Sequence, residues 1–233
     1  MGKVALITGG SRGIGFAIAE TLAAQGASVV VTGRTTGDLD EAGTRLGEGA
    51  LAIRADARRP DDAQRAVDQA VERFGGLDVL VNNAGVGVFA NIADMTVPEW
   101  QSIIETNLGG VFYFSRAALP HLRRRGGGWI INISSLAGTN AFVGGAAYCA
   151  SKAALNSFSE SLMQEVRHEN IRVSCIMPGS VATGFGGRGT PEKAEWKIQP
   201  EDVGRIVLDL LLMPARSLPS RVELRPSKPP KKS

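Results

Sequence analysis

Two hydrophobic periods alternate along this chain. Short apolar runs closed by glycine, proline or asparagine give way to longer stretches with apolar residues at about every third or fourth position. The short runs are Lys3–Thr8, Ser28–Thr32, Ala50–Ala55, Leu77–Val81, Trp129–Ser134, Ile171–Met177 and Arg221–Leu224, and each predicts a strand. Gly13–Gln25 carries Ile14, Ala17, Ile18, Thr21 and Leu22 on one stripe and predicts a helix closed by Gly26. Further helices are predicted over Asp40–Leu46, Pro60–Phe74, Val97–Arg125 with a bend near Gly109-Gly110, Ala147–Glu169 and Glu201–Met213. Gly179–Gln199, with five glycines and a proline, reads as a loop.

Unbroken β-α repetition predicts α/β architecture: a single doubly wound Rossmann domain over residues 1–225, with an about seven-stranded parallel sheet and helices on both faces. Residues 226–233 hold three prolines and three lysines and predict a disordered basic tail, too polar to order itself by burial.

Composition narrows the setting. At 43% hydrophobic and 21% charged residues, the chain can fill a full core. The net charge of +3 is matched by Lys228, Lys231 and Lys232 of the tail, which leaves the body balanced and argues against a nucleic-acid groove. The apolar run near Met1 is too short for a signal peptide, and no window approaches a membrane span. Cys149 and Cys175 make no disulfide framework and fit a reducing cytoplasm. No metal site is expected.

Chemistry first shows at Thr8-Gly9-Gly10-Ser11-Arg12-Gly13-Ile14-Gly15, between the first strand and the first helix. Glycines there permit a tight turn and a close backbone approach, so a helix N-terminus can face a pyrophosphate. The second strand ends at Gly33-Arg34, where an NAD enzyme usually carries an acid for the ribose 2′-hydroxyl. Arg34 and Arg12 can instead converge on a 2′-phosphate, which points to NADP(H). Asp38 and Asp40 fall too late in the chain to be that acid.

Tyr148-Cys-Ala-Ser-Lys152 places a phenol and an ammonium one helical turn apart, with Ser134-Ser135 shortly before them. A nearby cation lowers a phenol's pKa, so a Tyr held this way can exchange a proton with an alcohol oxygen.

With these motifs, Asn82-Asn83-Ala84-Gly85, Asn107 in a helix, and Pro178-Gly179-x-Val181-x-Thr183, the chain resembles the short-chain dehydrogenase/reductase family over roughly residues 3–213, in particular its 3-oxoacyl carrier-protein reductases. The resemblance implies that Tyr148 is the general acid/base, with Lys152 on the nicotinamide ribose lowering its pKa. Ser135 would polarise the substrate carbonyl, and Asn107 would anchor a relay water. It further implies adenine contacts at Asp56 and Ala57, and ribose contacts near Asn83, Ala84 and Gly85. Val181 and Thr183 would hold the carboxamide, and Pro178 and Gly179 would contact the cofactor beside them. A homodimer or homotetramer through the helices near 97–125 and 148–168 is implied as well.

Val86, Val88, Phe89, Leu136, Phe142, Val143, Phe185 and Trp196 are expected to border an apolar substrate pocket, with Gly184, Gly186, Gly187 and Gly189 in a mobile lid. The expected activity is NADPH-dependent reduction of a ketone or aldehyde, with 3-oxoacyl thioesters as one substrate class. Two readings stand beside it: a non-catalytic NADP-binding sensor on the same fold, and a broad-range carbonyl reductase. Arg167-His168-Glu169 and the ending Arg221–Arg225 depart from the carrier-protein reductases.

Overall fold

The computed structural model describes residues 2–187 and 195–230. Seven parallel strands form one sheet in the order β3-β2-β1-β4-β5-β6-β7. They are β1 (Val4–Ile7), β2 (Ser28–Gly33), β3 (Ala50–Arg54), β4 (Val79–Asn82), β5 (Gly128–Ile133), β6 (Ile171–Pro178) and β7 (Arg221–Leu224). Seven α-helices connect them: α1 (Gly13–Ala24), α2 (Thr36–Leu46), α3 (Pro60–Phe74), α4 (Val97–Ile104), α5 (Gly110–Arg124), α6 (Ala146–Val166) and α7 (Pro200–Leu212).

The continuous apolar strands follow from burial on both faces. Ala5 and Ile7 of β1 pack into one core with Ile18 and Leu22 of α1 and Val203 and Val207 of α7. Val4 and Leu6 point the other way, into a core with Ala66 of α3, Phe114 of α5 and Leu162 of α6. Strand order reverses between β1 and β4, so the loops after these two strands diverge and open a crevice at the carboxyl edge of the sheet.

Differences from the sequence expectation are local. α2 begins at Thr36 rather than near Asp40, because Gly37 and Asp38 are weak helix formers that hide its first turn. The bend expected near Gly109-Gly110 is a π-helical turn over Glu105–Gly109 between α4 and α5. Thr96 starts α4 with a reciprocal cap: its hydroxyl accepts from Glu99 N at 3.4 Å, and Glu99 Oε2 accepts from Thr96 N at 2.9 Å. The last strand, β7, pairs Leu224 with Pro178 of β6. Beyond it the chain follows the rim of the crevice as far as Pro230: Ser227–Pro230 are exposed to solvent, yet Pro226, Pro229 and Pro230 also line the cleft. Lys231, Lys232 and Gly189 lie outside the described residues. Among the described residues, no helix is long and apolar enough to cross a membrane, and no cluster of His, Cys, Asp or Glu suits a metal ion.

Candidate active site

The crevice is a cleft of about 1660 Å³, running from the ends of β2 and β3 across to β6 and β7. Of the expected cofactor contacts, all but Gly15 line it; of the expected catalytic residues, all but Asn107 do. Both exceptions sit just behind the wall.

Gly15 opens α1 where the helix meets the loop after β4. A β-carbon on it would collide with Asn83 Nδ2 and Gly9 O. The crowding comes from a clasp between the two loops. Asn83 Nδ2 donates to Thr8 O at 2.9 Å and to Gly9 O at 3.0 Å. Thr8 Oγ1 in turn accepts from Asn83 N and Ala84 N, both at 3.0 Å. Asn83 therefore holds the glycine turn in shape as well as facing the cleft.

At the far end, Gly33 stands where the usual ribose acid would be. A β-carbon at Gly33 would lie 2.9 Å from Ser11 Oγ and 3.4 Å from Leu39 Cδ2, so a side chain there would require the Ser11 hydroxyl to move. Arg12 and Arg34 both line this end and are exposed. Asp38, brought closer by the early start of α2, also lines the cleft, with its carboxylate 3.8 Å from Arg12. Asp56 is held by Arg58 at 2.6 Å, and that hydrogen bond keeps its carboxyl below the ordinary carboxylate range. The glycine turn, the missing acid at Gly33 and the two arginines fit a dinucleotide with a 2′-phosphate.

The opposite end carries the reacting residues. Tyr148 and Lys152 lie one turn apart near the start of α6, and Ser135 follows β5. The Ser135 hydroxyl caps the turn after β5, accepting from Ala137 N at 3.1 Å. Its oxygen also lies 3.5 Å from Pro178 O, to which it donates. Burial pushes the Tyr148 pKa up, and the Ser135 hydroxyl pulls against it. Lys152 is buried, donates to Ile133 O at 2.9 Å and lies 5.8 Å from the centroid of the Tyr148 ring. Its own pKa falls to about 8 through burial. The expected lowering of the phenol pKa by Lys152 is thus not seen: desolvation dominates both groups, and the ammonium is drawn to a backbone carbonyl.

Asn107 sits in the π-helical turn with no exposure. Its Oδ1 accepts from Val86 N at 2.8 Å, and its Nδ2 donates to Val86 O and Ser151 Oγ, each at 3.0 Å. The side chain fastens the loop after β4 to α6, next to Lys152.

Aromatic rings close around the phenol. Phe89 meets Tyr148 edge-on at 5.5 Å, Phe185 at 5.7 Å, and Phe142 packs on Phe89 at 5.8 Å. Val86, Leu136 and Trp196 also line the cleft as expected, whereas Val88 and Val143 do not; Val143 is 93% exposed.

Sequence reasoning missed a buried polar lattice beneath these residues. Asn82 Nδ2 donates to Asn132 Oδ1 at 2.8 Å and to Ser115 Oγ at 3.1 Å, and Asn132 Nδ2 donates to Ser159 Oγ at 2.8 Å. Ser134, read from sequence as a backbone cap, donates to Asn156 Oδ1 at 2.6 Å, with Lys152 O a second acceptor within reach at 3.2 Å. These bonds lock α6 to β5 and fix the height of Tyr148 and Lys152. A polar residue inside the buried Trp129–Ile133 run was the available signal.

Comparison with known proteins agrees with this geometry. The family model described as short chain dehydrogenase matches residues 3–193. An uncharacterized oxidoreductase of Staphylococcus saprophyticus is 36% identical over 228 residues, covering 96% of this chain and 97% of its own. An alcohol dehydrogenase from the archaeon Thermococcus sibiricus, solved with 5-hydroxy-NADP, superposes with a TM-score of 0.91 at 30% identity, covering 99% of each chain. The closed form of a serine dehydrogenase complexed with NADP+ superposes at 0.89 with 32% identity, covering 95% of this chain and 94% of its own.

Proposed function

The chain belongs to the short-chain dehydrogenase family, and on that premise we propose that it is an NADPH-dependent reductase of ketones or aldehydes, with Tyr148, Lys152, Ser135 and Asn107 as its catalytic set. The observation that carries this reading is the placement of Ser135, Tyr148 and Lys152 together on the cleft wall, with Lys152 buried one helical turn from Tyr148.

Bound in the cleft, the nicotinamide cofactor supplies the hydride. Ser135 holds the carbonyl oxygen and polarises it. Tyr148, kept protonated by burial, donates its phenolic proton to that oxygen as negative charge develops. Lys152 lies deep enough to meet the cofactor ribose and to restore the proton. Asn107 is a positioning residue that keeps the Val86 loop and α6 in register. The 2′-phosphate goes to Arg34 and Arg12, and the absence of an acidic side chain at Gly33 supports NADP(H) over NAD(H). NADP-bound structural neighbours support the same choice.

The aromatic enclosure of Phe89, Phe142 and Phe185 favours an apolar group beside the carbonyl, and 3-oxoacyl thioesters are one class that carries it. Assembly as a homodimer or homotetramer is supported by Trp100 on α4 and Phe112 on α5, which are 40% and 46% exposed. Two unpaired buried cysteines, Cys149 and Cys175, fit a reducing compartment such as the cytoplasm.

The test is NADPH and NADH oxidation by the purified protein against an acetoacetyl thioester, a diketone, an aromatic aldehyde and a cyclic ketone. Turnover with NADPH well above NADH is expected. Tight NADPH binding with no turnover of any carbonyl contradicts the reductase reading.

A further inference from the structure

The described carboxylates that line the cleft, Asp38 and Asp56, stand at the far end beside Arg12 and Arg58. The remaining described charged residues of the lining are cationic: Arg12, Arg34, Lys152, Lys197 and Arg225. Arg12, Arg34 and Lys152 are taken up by the cofactor and the chemistry, and the other two are not. Lys197 and Arg225 are carried by chain tied to the segment after Pro178, whose carbonyl lies 3.5 Å from Ser135 Oγ.

Lys197 and Arg225 reach the cleft from separately anchored pieces of chain. Lys197 precedes Ile198, whose N–H donates to Ser180 O at 3.0 Å and whose carbonyl accepts from Ala182 N at 2.8 Å. It is half-buried and has no ion pair with a described carboxylate. Arg225 follows β7, where Leu224 O accepts from Gly179 N at 2.8 Å. One N–H of Arg225 goes to Glu223 at 2.8 Å, in a surface pair with 57% and 41% of the two side chains exposed, and among the described residues its other donors make no hydrogen bond. The next residue, Pro226, closes on the cleft wall: a β-carbon on Gly179 would lie 3.0 Å from Pro226 Cδ and 3.2 Å from Leu136 Cδ1. Pro229 and Pro230 extend this wall along the lining. Proline-rich chain is stiff, so the segment can hold Arg225 in place rather than let it swing in solvent.

We propose that the substrate is an oxo acid, with its carbonyl on Ser135 and Tyr148, its apolar middle within Phe89, Phe142 and Phe185, and its carboxylate held by Lys197 and Arg225 against the wall made by Arg225–Pro230. The proposal rests on the carbonyl-reductase reading and specifies its substrate. Lys197 has no ion pair with a described carboxylate, the exposed Glu223 takes one N–H of Arg225, and a bidentate guanidinium contact with a substrate carboxylate is the strong form of such pairing.

The experiment compares para-formylbenzoate with its methyl ester, two aldehydes of similar reactivity that differ in one charge. With NADPH saturating, kcat/KM for the acid should exceed that for the ester by about ten-fold. In the double variant Lys197→Gln/Arg225→Gln the acid-to-ester ratio should fall towards one, and added salt should reduce the wild-type ratio in the same direction. A second arm does not depend on turnover: calorimetric binding of para-(hydroxymethyl)benzoate and its methyl ester to the protein loaded with NADP+. Tighter binding of the acid, lost in the double variant, supports the anion site even if neither aldehyde is reduced, a result that would instead count against the reductase reading. Equal treatment of acid and ester in both arms overturns the proposal. So does a double variant that weakens NADPH binding while leaving the acid-to-ester ratio intact, because the cations would then serve the cofactor.

Discussion

The two ends of the cleft are built from different materials. The end that fits the nucleotide is made of backbone, glycine and exposed arginines around a turn clasped by Asn83 and Thr8. The reacting end is made of side chains set in a desolvated polar lattice, with Asn107, Asn132 and Ser151 wholly buried and Lys152 nearly so. The first achieves specificity by leaving room at Gly15 and Gly33 where side chains would intrude. The second shifts acid–base properties by removing water, which raises Tyr148 and lowers Lys152. Binding and chemistry should therefore separate by mutation.

The largest effect is expected at the reacting end. Tyr148→Phe removes the proton donor and keeps the ring inside its aromatic enclosure, so steady-state turnover should drop by about 10²–10⁴-fold. Next comes Gly15→Ala, whose new methyl group meets Asn83 Nδ2 and Gly9 O and forces the glycine turn open. It should weaken NADPH binding and lower stability by about 1–3 kcal/mol, read by titration and thermal melting. Gly37→Ala is the matched control, since nothing lies within 4 Å of a β-carbon there and α2 gains a better helix former. If Gly15→Ala bound NADPH like the wild type, the crowded-turn account would be wrong.

Arg34→Ala should weaken NADPH by about ten-fold and NADH much less, the difference reporting the 2′-phosphate alone. A separate effect, on stability and not on binding or rate, is expected at Lys152. Its folded pKa of about 8 lies below the ordinary 10.5, so between these values the unfolded chain binds more protons than the native one. Stability should rise with pH across that window, and the cost of burying the ammonium is present in full below it. Lys152→Met should therefore melt higher than the wild type at pH 7, by the equivalent of roughly 1–3 kcal/mol. That advantage should shrink as pH rises through the same window. A lower melting temperature at pH 7 would mean that the bond to Ile133 O outweighs the burial cost.

What the sequence revealed follows the same division. Glycine spacing between β1 and α1, the missing acid at Gly33, and the Tyr148–Lys152 turn are local patterns, and each lines the site as expected except Gly15, which packs behind it. The lattice of Asn82, Ser115, Asn132 and Ser159 joins four elements distant in sequence, so no window of the chain displays it. The sense of the Tyr148 shift was hidden for a similar reason: spacing brings a cation near the phenol, but only the packed structure shows how far both are desolvated. The path of Pro226–Pro230 along the cleft depends on β7 pairing with β6, which composition alone does not convey.

The central claim is that the cleft divides into a binding half and a reacting half. Its most direct test is NADPH titration of wild type, Tyr148→Phe and Arg34→Ala, with the single-turnover rate of each measured at saturating cofactor on one aldehyde that the wild type reduces. The account predicts a crossed result: Tyr148→Phe keeps its NADPH affinity within about three-fold and loses the hydride-transfer step, whereas Arg34→Ala loses affinity and keeps most of its saturated rate. Parallel losses of affinity and rate in both variants would contradict the division.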